Sequence, residues 1–413
     1  MNKYNESVLP NGLKIITSEN SNSEIVTLSI WVRAGSRYET QEQLGYAHIL
    51  EHALFLGTKK YPTSFIAGRA IDSVGALSNA NTSPERIRIF IEVTKKHLEK
   101  MFELLSDMVL NPVMDSKVLE NEKEVILQEL YRQKDNYQKY LWKLSYEKFF
   151  LGHPLSQDPL GNEISIKSAT PDKLFDYHKK FFTPDRAAIV STGGLTYEKI
   201  LELAKKYFGY LPKSEKVADN FQEPHFKKGF FFEKAPSKQT RVIFQYGNSK
   251  CNIEESIALE ILINYLSYGD SSVLTQEIRT KRGLAYSVSA GNSLYKDATV
   301  FFISAATTKP KEVAEIILNI MRNLDKNFTT EIFDEIKEQT ANVLIREIHD
   351  QFNELGFLGN SWLLYDKIIF PKEFLEILEK IKYKDVIAAI NKYLSEDRLL
   401  MATLGEEKFK VDF

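Results

Sequence analysis

Residues 183–194 read TPDRAAIVSTGG, and residues 395–406 read SEDRLLMATLGE. In both segments an Asp-Arg pair precedes a short apolar run, the pattern typical of a buried β-strand. The interval from the first Asp-Arg pair to the second also separates Gly35 from Gly247, Gly57 from Gly269 and Phe90 from Phe302. Because four anchors share one spacing across most of each half, we interpret the chain as a duplicated domain.

Each half alternates short strand patterns with long helical patterns. VTLSIWV (26–32) and RIRIFIEV (86–93) are strand-like, whereas 97–109 and the stretch from Asp115 to about Phe150 carry apolar residues at three- and four-residue steps. The sequence therefore predicts an α+β fold built from two sequence-related αβ domains of about 200 residues each. We expect each domain to contain a mostly antiparallel sheet with helices packed on one face.

The best candidate for a linker is LPKSEKVADNFQEPHFKKG (211–229), a polar, charged segment with two prolines. We therefore expect an N-terminal domain over 1–215, a linker over 216–228 and a C-terminal homologous domain over 229–413.

Composition excludes several classes of function. Among the 413 residues, 54 Lys and Arg balance 56 Asp and Glu, so no basic field favours nucleic acid as a partner. The single cysteine, Cys251, cannot form an intrachain disulfide or a multi-cysteine zinc site, and it fits a reducing compartment. No apolar stretch is long enough for a membrane span or a signal peptide, so we expect a cytoplasmic protein. A processed organellar protein would share these features.

The segment GYAHILEHALFLGT (45–58) carries the candidate chemistry, because it contains His48, Glu51 and His52. On a helix, His48 and His52 lie about 40° apart around the axis and about 6 Å apart along it. Both imidazoles can therefore face one metal ion. Glu51 lies on nearly the same face, where its carboxylate could deprotonate a metal-bound water. The alternative interpretation is a polar helix face.

A further ligand could come from LENEKEVILQELYRQ (119–133). Glu122 and Glu129 are seven residues apart, so on a helix they form one stripe that could face the histidine pair. The alternative is an acidic face exposed to solvent.

Together these motifs resemble the inverted-zincin peptidases of the pitrilysin, insulin-degrading enzyme and mitochondrial processing peptidase superfamily, and specifically its short-chain branch. The family signature is H-x-x-E-H-x76-E, and the spacing from His52 to Glu129 matches it. The resemblance implies that His48, His52 and Glu129 bind one Zn²⁺ per chain and that Glu51 is the general base. Glu122 resembles the family carboxylate that orients a ligating imidazole.

Asn79-Ala80, in GALSNANTSPE (75–85), resembles the family's Asn-Ala on an edge strand, where an extended substrate adds as a further strand. Without that context, a turn would be the favoured interpretation of the polar run. Asn81 stands where an aromatic residue often follows Asn-Ala in the family.

In the second half, Arg279 and Tyr286 of IRTKRGLAYSVSA (278–290) match the family's Arg and Tyr that contact the peptide near the scissile bond. Taken alone, they would be an ion-pairing surface residue and a core aromatic residue. The offset between the two halves maps the histidine motif onto Glu260, Ile263 and Asn264. The second half therefore cannot build the same metal site.

The resemblance implies a zinc-dependent endopeptidase that hydrolyses short or unfolded peptides. It also implies that each chain forms half of a clamshell, and that two chains enclose a chamber as a homodimer or as a heterodimer with an inactive paralogue. The competing interpretation is a non-catalytic structural or peptide-binding relative. Two imidazoles and a carboxylate also suit Co²⁺ or Mn²⁺.

Overall fold

A computed structural model describes residues 2–213, 215–219 and 221–413. The strands are β1 (Lys3–Val8), β2 (Lys14–Glu19), β3 (Ile25–Val32), β4 (Leu77–Thr82), β5 (Ile87–Thr94), β6 (Ala187–Gly193), β7 (Gly229–Lys234), β8 (Thr240–Ser249), β9 (Ala285–Leu294), β10 (Ala298–Thr307) and β11 (Leu399–Gly405). The α-helices are α1 (Tyr46–Leu56), α2 (Ser64–Asp72), α3 (Leu98–Leu110), α4 (Ser116–Asp135), α5 (Tyr137–Phe149), α6 (Glu163–Ser168), α7 (Pro171–Phe181), α8 (Tyr197–Phe208), α9 (Ile253–Ser267), α10 (Pro310–Arg322), α11 (Leu324–Asn327), α12 (Thr330–Glu347), α13 (Gln351–Tyr365), α14 (Pro371–Lys380) and α15 (Tyr383–Tyr393). A π-helix spans Thr275–Thr280, and short 3-10 turns lie at Ser36–Tyr38, Gln41–Gln43, Lys95–His97, Pro154–Ser156 and Glu396–Arg398.

The strands form two sheets with a repeated order. The first sheet runs β1-β2-β6-β3-β5-β4, and the second runs β7-β11-β8-β10-β9. In each sheet one pair is parallel, β2 with β6 and β7 with β11, and the other neighbours are antiparallel. The same sequence interval separates β6 from β11 and α3 from α10. It is also the interval from Gly35 to Gly247. The predicted pair of related α+β halves is confirmed.

The chain folds into two compact units that exchange one segment each. The first unit contains residues up to Arg132, Gln157–Asp219 and Glu347–Phe370; the second contains Gln133–Ser156, residues 221–346 and Pro371–Phe413. Helix α5 thus packs on β8 and β11 of the second unit, and α13 packs on β3 and β6 of the first. These units differ from the contiguous domains expected over 1–215 and 229–413, because an amphipathic pattern does not specify which sheet a helix covers. Residues 211–213, 215–219 and 221–228, around the expected linker, form neither helix nor strand.

Helices therefore cover both faces of the first sheet, where the sequence led us to expect helices on one face. On one face, Ile30 and Ile89 pack in a core with Leu50 of α1. On the other face, Trp31 packs with Leu358 and neighbouring residues of α13. Gly359 permits this contact, because a Cβ at that position would lie 2.2 Å from the Trp31 ring. Within the described ranges, no helix combines the length and apolarity needed to cross a membrane.

Candidate metal centre

Helix α1 presents His48, Glu51 and His52, and its start is fixed by the buried side chain of Glu39. Glu39 accepts hydrogen bonds from the backbone N–H groups of Gly45 (2.7 Å) and Ala47 (2.6 Å). These donors would otherwise have no partner at the helix start. Gly45 itself has φ 89°, a left-handed conformation that favours glycine. The histidine motif is therefore anchored at its N-terminal end.

Helix α4 brings its two predicted carboxylates to α1. Its buried side is formed by Leu119, Ile126 and Leu130, which orient the stripe of Glu122 and Glu129. These two side chains are 22% and 31% exposed and both lie against the histidines. The expectation of a fully solvated acidic face is wrong for them, although it fits the exposed Glu120 and Glu124 on the same helix.

Three potential ligand atoms converge on one point. The Nε2 atoms of His48 and His52 lie 3.3 Å apart, and Glu129 Oε2 lies 3.5 Å from the first and 3.7 Å from the second. Tetrahedral Zn²⁺ with bonds of about 2.0–2.1 Å places its ligand atoms roughly 3.3–3.4 Å apart. The observed triangle fits a zinc ion with three protein ligands, which leaves a fourth position for water or substrate.

Glu122 sets the orientation of the His52 ring. Its Oε1 lies 2.7 Å from His52 Nδ1, so the nitrogen that carries hydrogen points to Glu122 and the Nε2 lone pair points to His48 and Glu129. Burial lowers the pKa of His52, but the bond to Glu122 and the charges of Glu129, Glu122 and Glu51 outweigh it, so the net shift is upward. Protons therefore compete with a metal ion for Nε2 as the pH falls.

His48 lies in a more buried environment. Burial and the neighbouring charge of His52 lower the pKa of His48 to about 3, so its imidazole is neutral at pH 7. Its Nδ1 is buried without a hydrogen-bond partner among the described residues. A neutral imidazole is the form that binds metal ions.

Glu51 points from α1 towards strand β4. The Thr82 hydroxyl donates a hydrogen bond to the Glu51 carboxylate. Burial raises the pKa of Glu51, and the bond from Thr82 and the charge of His52 oppose that shift. A carboxylate with a raised pKa is suited to accept a proton and release it again at neutral pH.

Strand β4 forms an edge of the first sheet. Asn79 and Ala80 lie inside this strand and pair with Phe90 and Ile89 of β5, so the interpretation of this run as a turn is wrong. Asn79 is exposed, and its side-chain oxygen accepts the Ala80 N–H. Among the described strands, β4 pairs with β5 alone.

In the second unit, helices α9 and α12 correspond to α1 and α4, and an uncharged hydrogen bond joins them. Asn264 of α9 replaces His52, and its side-chain nitrogen donates to Thr340 of α12 at 2.9 Å. In the part of the chain that the structure describes, His48, His52 and Glu129 are the one group of His, Cys, Asp or Glu residues that could hold a metal ion.

Arg279 and Tyr286 lie close together in the second unit. The Arg279 guanidinium sits 5.4 Å from the centre of the Tyr286 ring and 3.7 Å from Asp270. Tyr286 is 81% exposed, so the interpretation of it as a core aromatic residue is wrong. Arg279 is carried by the π-helix, a distortion that is frequent at functional sites.

Sequence reasoning missed two residues that hold the site. Thr82 could have been found from strand alternation, because Ala80 and Thr82 share one face of β4. Glu39 lies in a loop ahead of His48 and gave no signal, since a loop carboxylate that caps a later helix has no fixed spacing.

Comparison with known proteins identifies the family. Residues 14–163 match the model of the insulinase peptidase family M16, and residues 168–340 match the model described as the peptidase M16 inactive domain. The chain belongs to peptidase family M16. The inactive-domain match covers the part of the chain that follows the potential metal ligands on α1 and α4.

Relatives of similar length extend this assignment. The chain is 29% identical to an uncharacterized zinc protease of Rickettsia bellii, covering 95% of each. It is 28% identical to the mitochondrial-processing peptidase subunit beta of Saccharomyces cerevisiae, covering 97% of this chain and 90% of the relative. In fold it is similar to a protease from Helicobacter pylori, with a TM-score of 0.89, 22% identity, and coverage of 98% of this chain and 100% of the other. The family and the names of its relatives support a zinc-dependent peptidase in the broad sense.

Proposed function

We propose that this M16 protein is a zinc-dependent endopeptidase that hydrolyses short or unfolded peptides, with Glu51 as general base. The observation that carries the proposal is the triangle of His48 Nε2, His52 Nε2 and Glu129 Oε2, whose sides match tetrahedral zinc ligation. Zinc is named in several relatives, although the same ligand set also suits Co²⁺ or Mn²⁺.

A zinc ion held by this triangle would supply the Lewis acid that polarises the scissile carbonyl and makes a water acidic. The protein supplies the proton transfer. Glu51 takes the proton of the attacking water and delivers it to the leaving amine. Thr82 holds the Glu51 carboxylate on the β4 side of α1, and Glu122 holds His52 in the tautomer that leaves Nε2 free.

The peptide would bind in an extended form along β4, with its backbone hydrogen-bonded to the strand at Asn79 and Ala80. In this proposal Arg279 and Tyr286 contact the peptide near the scissile bond, where a guanidinium and a phenol can stabilise negative charge on the carbonyl oxygen. Their exposure and mutual contact support the role.

The enclosed chamber and the homodimer remain part of the proposal, as does the alternative of a heterodimer with an inactive paralogue. Native mass spectrometry of the purified chain distinguishes a self-associating protein from one that needs a second subunit. The cytoplasmic location expected from the composition stays a prediction.

The test is cleavage of an unstructured peptide of a few tens of residues, followed by mass spectrometry. Zinc-loaded wild type should produce internal cleavage products. Glu51→Gln should bind as much zinc as wild type and produce none, because it keeps the ligand triangle but loses the base. Thr82→Val serves as the intermediate variant, with reduced turnover and full zinc content, since it removes only the group that orients Glu51.

Cleavage by both wild type and Glu51→Gln would contradict the role of Glu51. If neither protein cuts while both bind zinc and the peptide, the chain is a peptide-binding relative or needs a partner subunit.

A further inference from the structure

The two faces of strand β4 present different chemistry to a bound peptide. Ala80 packs towards the core beside α1, and Thr82 on the same face contacts Glu51. Side chains alternate along a strand, so Asn79 and Asn81 point to the opposite face, which we call the outer face. Peptide side chains would alternate in the same way when a peptide adds to β4.

Two arginines lie on the outer face next to Asn81. Arg88 of β5 pairs directly with Asn81 across the strands and with Trp31 on the next strand. Arg86 follows the β4–β5 turn, and its Nη2 donates to Asn81 Oδ1 at 3.4 Å. Both guanidiniums lie 5.2 Å from the Trp31 ring.

Neither arginine has a carboxylate within ion-pairing distance among the described residues. The other partner of Arg86 is the Asn360 side-chain oxygen, at 3.0 Å. The Arg88 guanidinium lies 5.3 Å from the Phe90 ring and 4.8 Å from the Phe352 ring. The Nε atoms of both arginines are buried without hydrogen-bond partners. Burial and the charge of Arg88 lower the pKa of Arg86 to about 10, and only Glu85 opposes this shift. Glu85, however, is already paired with Arg37.

A third arginine on the same face, Arg33, also has a buried Nε without a hydrogen-bond partner, but it differs from Arg86 and Arg88 in having a carboxylate partner. Arg33 stacks on Trp362 of α13 at 4.5 Å, as Arg86 and Arg88 stack on Trp31, but it also pairs with Asp366 at 2.6 Å. An arginine that holds α13 against the sheet can therefore also pair with a carboxylate. The partly buried positive charges of Arg86 and Arg88, beside Asn81, have no carboxylate partner among the described residues. A carboxylate brought by a ligand would offset the free-energy cost of burying these charges.

We propose that the outer face of β4 selects peptides with an acidic side chain, which Arg86 binds beside Asn81 with Arg88 behind it. The inference rests on the proposed docking of the peptide along β4. An aspartate or glutamate is preferred at positions of one parity only, because every second side chain of the added strand reaches the outer face.

The experiment uses a series of otherwise neutral peptides in which a single Glu is moved along the sequence, each matched by a peptide with Gln at that position. We measure kcat/KM with zinc-loaded wild type and Kd with zinc-loaded Glu51→Gln. At least one position on the outer face should favour Glu over Gln by about tenfold, the size expected for one charge-assisted hydrogen bond. Its immediate neighbours in sequence should show no preference.

Variants assign the preference to the outer face. In Arg86→Gln the ratio of kcat/KM for the Glu peptide to kcat/KM for the Gln peptide should fall to near one. Arg86→Lys should keep part of the preference for Glu. Asn81→Asp, at the strand edge, supplies a carboxylate within the chain and should also abolish the preference. Arg33→Gln is the matched control, since it loosens α13 in a comparable way but should leave the ratio unchanged.

Equal rates and affinities for every Glu and Gln pair would overturn this inference while leaving the peptidase proposal intact. A preference that persists in both Arg86→Gln and Asn81→Asp, or that is lost in Arg33→Gln, would overturn it as well. If wild type cleaves no peptide, the chain is not a peptidase by itself, and the Kd ratios with Glu51→Gln still decide whether the outer face binds acidic side chains.

Discussion

Glu122 offers a test of the metal centre that does not depend on catalysis. Its Oε1 lies 2.7 Å from His52 Nδ1, and its side chain is 22% exposed. Removing a partner that orients a ligating imidazole typically weakens metal affinity by about 10- to 100-fold. We expect Glu122→Ala to approach the upper end of this range. Glu122→Gln should lose about tenfold, since its amide oxygen can still accept the Nδ1–H.

The pH dependence adds a signature specific to this contact. Burial lowers the pKa of His52, but Glu122 is among the groups that raise it overall, so in the wild type protons compete with the metal at low pH. Removal of Glu122 lowers the pKa of His52 and relieves that competition. The difference in zinc affinity between wild type and variant should therefore be larger at pH 8 than at pH 6.

Competitive titration with a zinc chelator measures both affinities. The matched control is Glu124→Gln, which makes the same chemical change on an exposed position of the same helix and should leave affinity unchanged. The reasoning is refuted if Glu122→Ala binds zinc within about twofold of wild type at pH 8. It also fails if Glu124→Gln loses as much affinity as Glu122→Gln.

Three further outcomes follow from the structure. His48→Ala should lose stoichiometric zinc, and a chelator should lower the thermal midpoint of wild type but not of this variant, because only a bound ion adds to stability. Burial raises the pKa of Glu39 from 4.5 to about 8, so the folded state keeps a proton that the unfolded chain releases. The free energy of unfolding should therefore fall as the pH rises from 4.5 to 8. The decrease should be smaller in Glu39→Gln, and thermal unfolding at several pH values measures both. Gly359→Ala should destabilise the protein by about 1–3 kcal/mol in chemical denaturation, because the new methyl group meets the Trp31 ring. Gly356→Ala on the same helix, whose Cβ would have 3.9 Å to its nearest neighbour, should be neutral or stabilising by up to about 1 kcal/mol.

The candidate site was predictable where helix geometry fixes it. A step of four from His48 to His52, and a step of seven from Glu122 to Glu129, determine which side chains share a face before any tertiary structure is known. The pairing of the two helices did not follow from periodicity; it came from the family spacing between His52 and Glu129. Their roles as metal ligands stay a prediction until zinc binding is measured.

The exchange of helices α5 and α13 could not be predicted in the same way. Both helices have an apolar face, but periodicity records only that such a face is buried, not which sheet buries it. The information lies in complementary shapes, such as Gly359 against Trp31, which become visible only when both surfaces are known. Glu39 was missed for a related reason, since it acts on α1 from a separate loop, whereas alternation along β4 could have placed Thr82 on the face of Ala80.

The two copies of the fold present different polar groups at the corresponding helix pair. In the first unit, the two Nε2 atoms and Glu129 Oε2 bring three electron-pair donors to within 3.7 Å of one another, an arrangement that a cation stabilises. In the second unit, Asn264 and Thr340 occupy the matching helix pair as donor and acceptor, so the contact is satisfied without an ion. The same helix packing thus brings together three potential metal ligands in one unit and a neutral hydrogen bond in the other. Chemistry depends on which polar groups the helices present, and not on the fold that both units share.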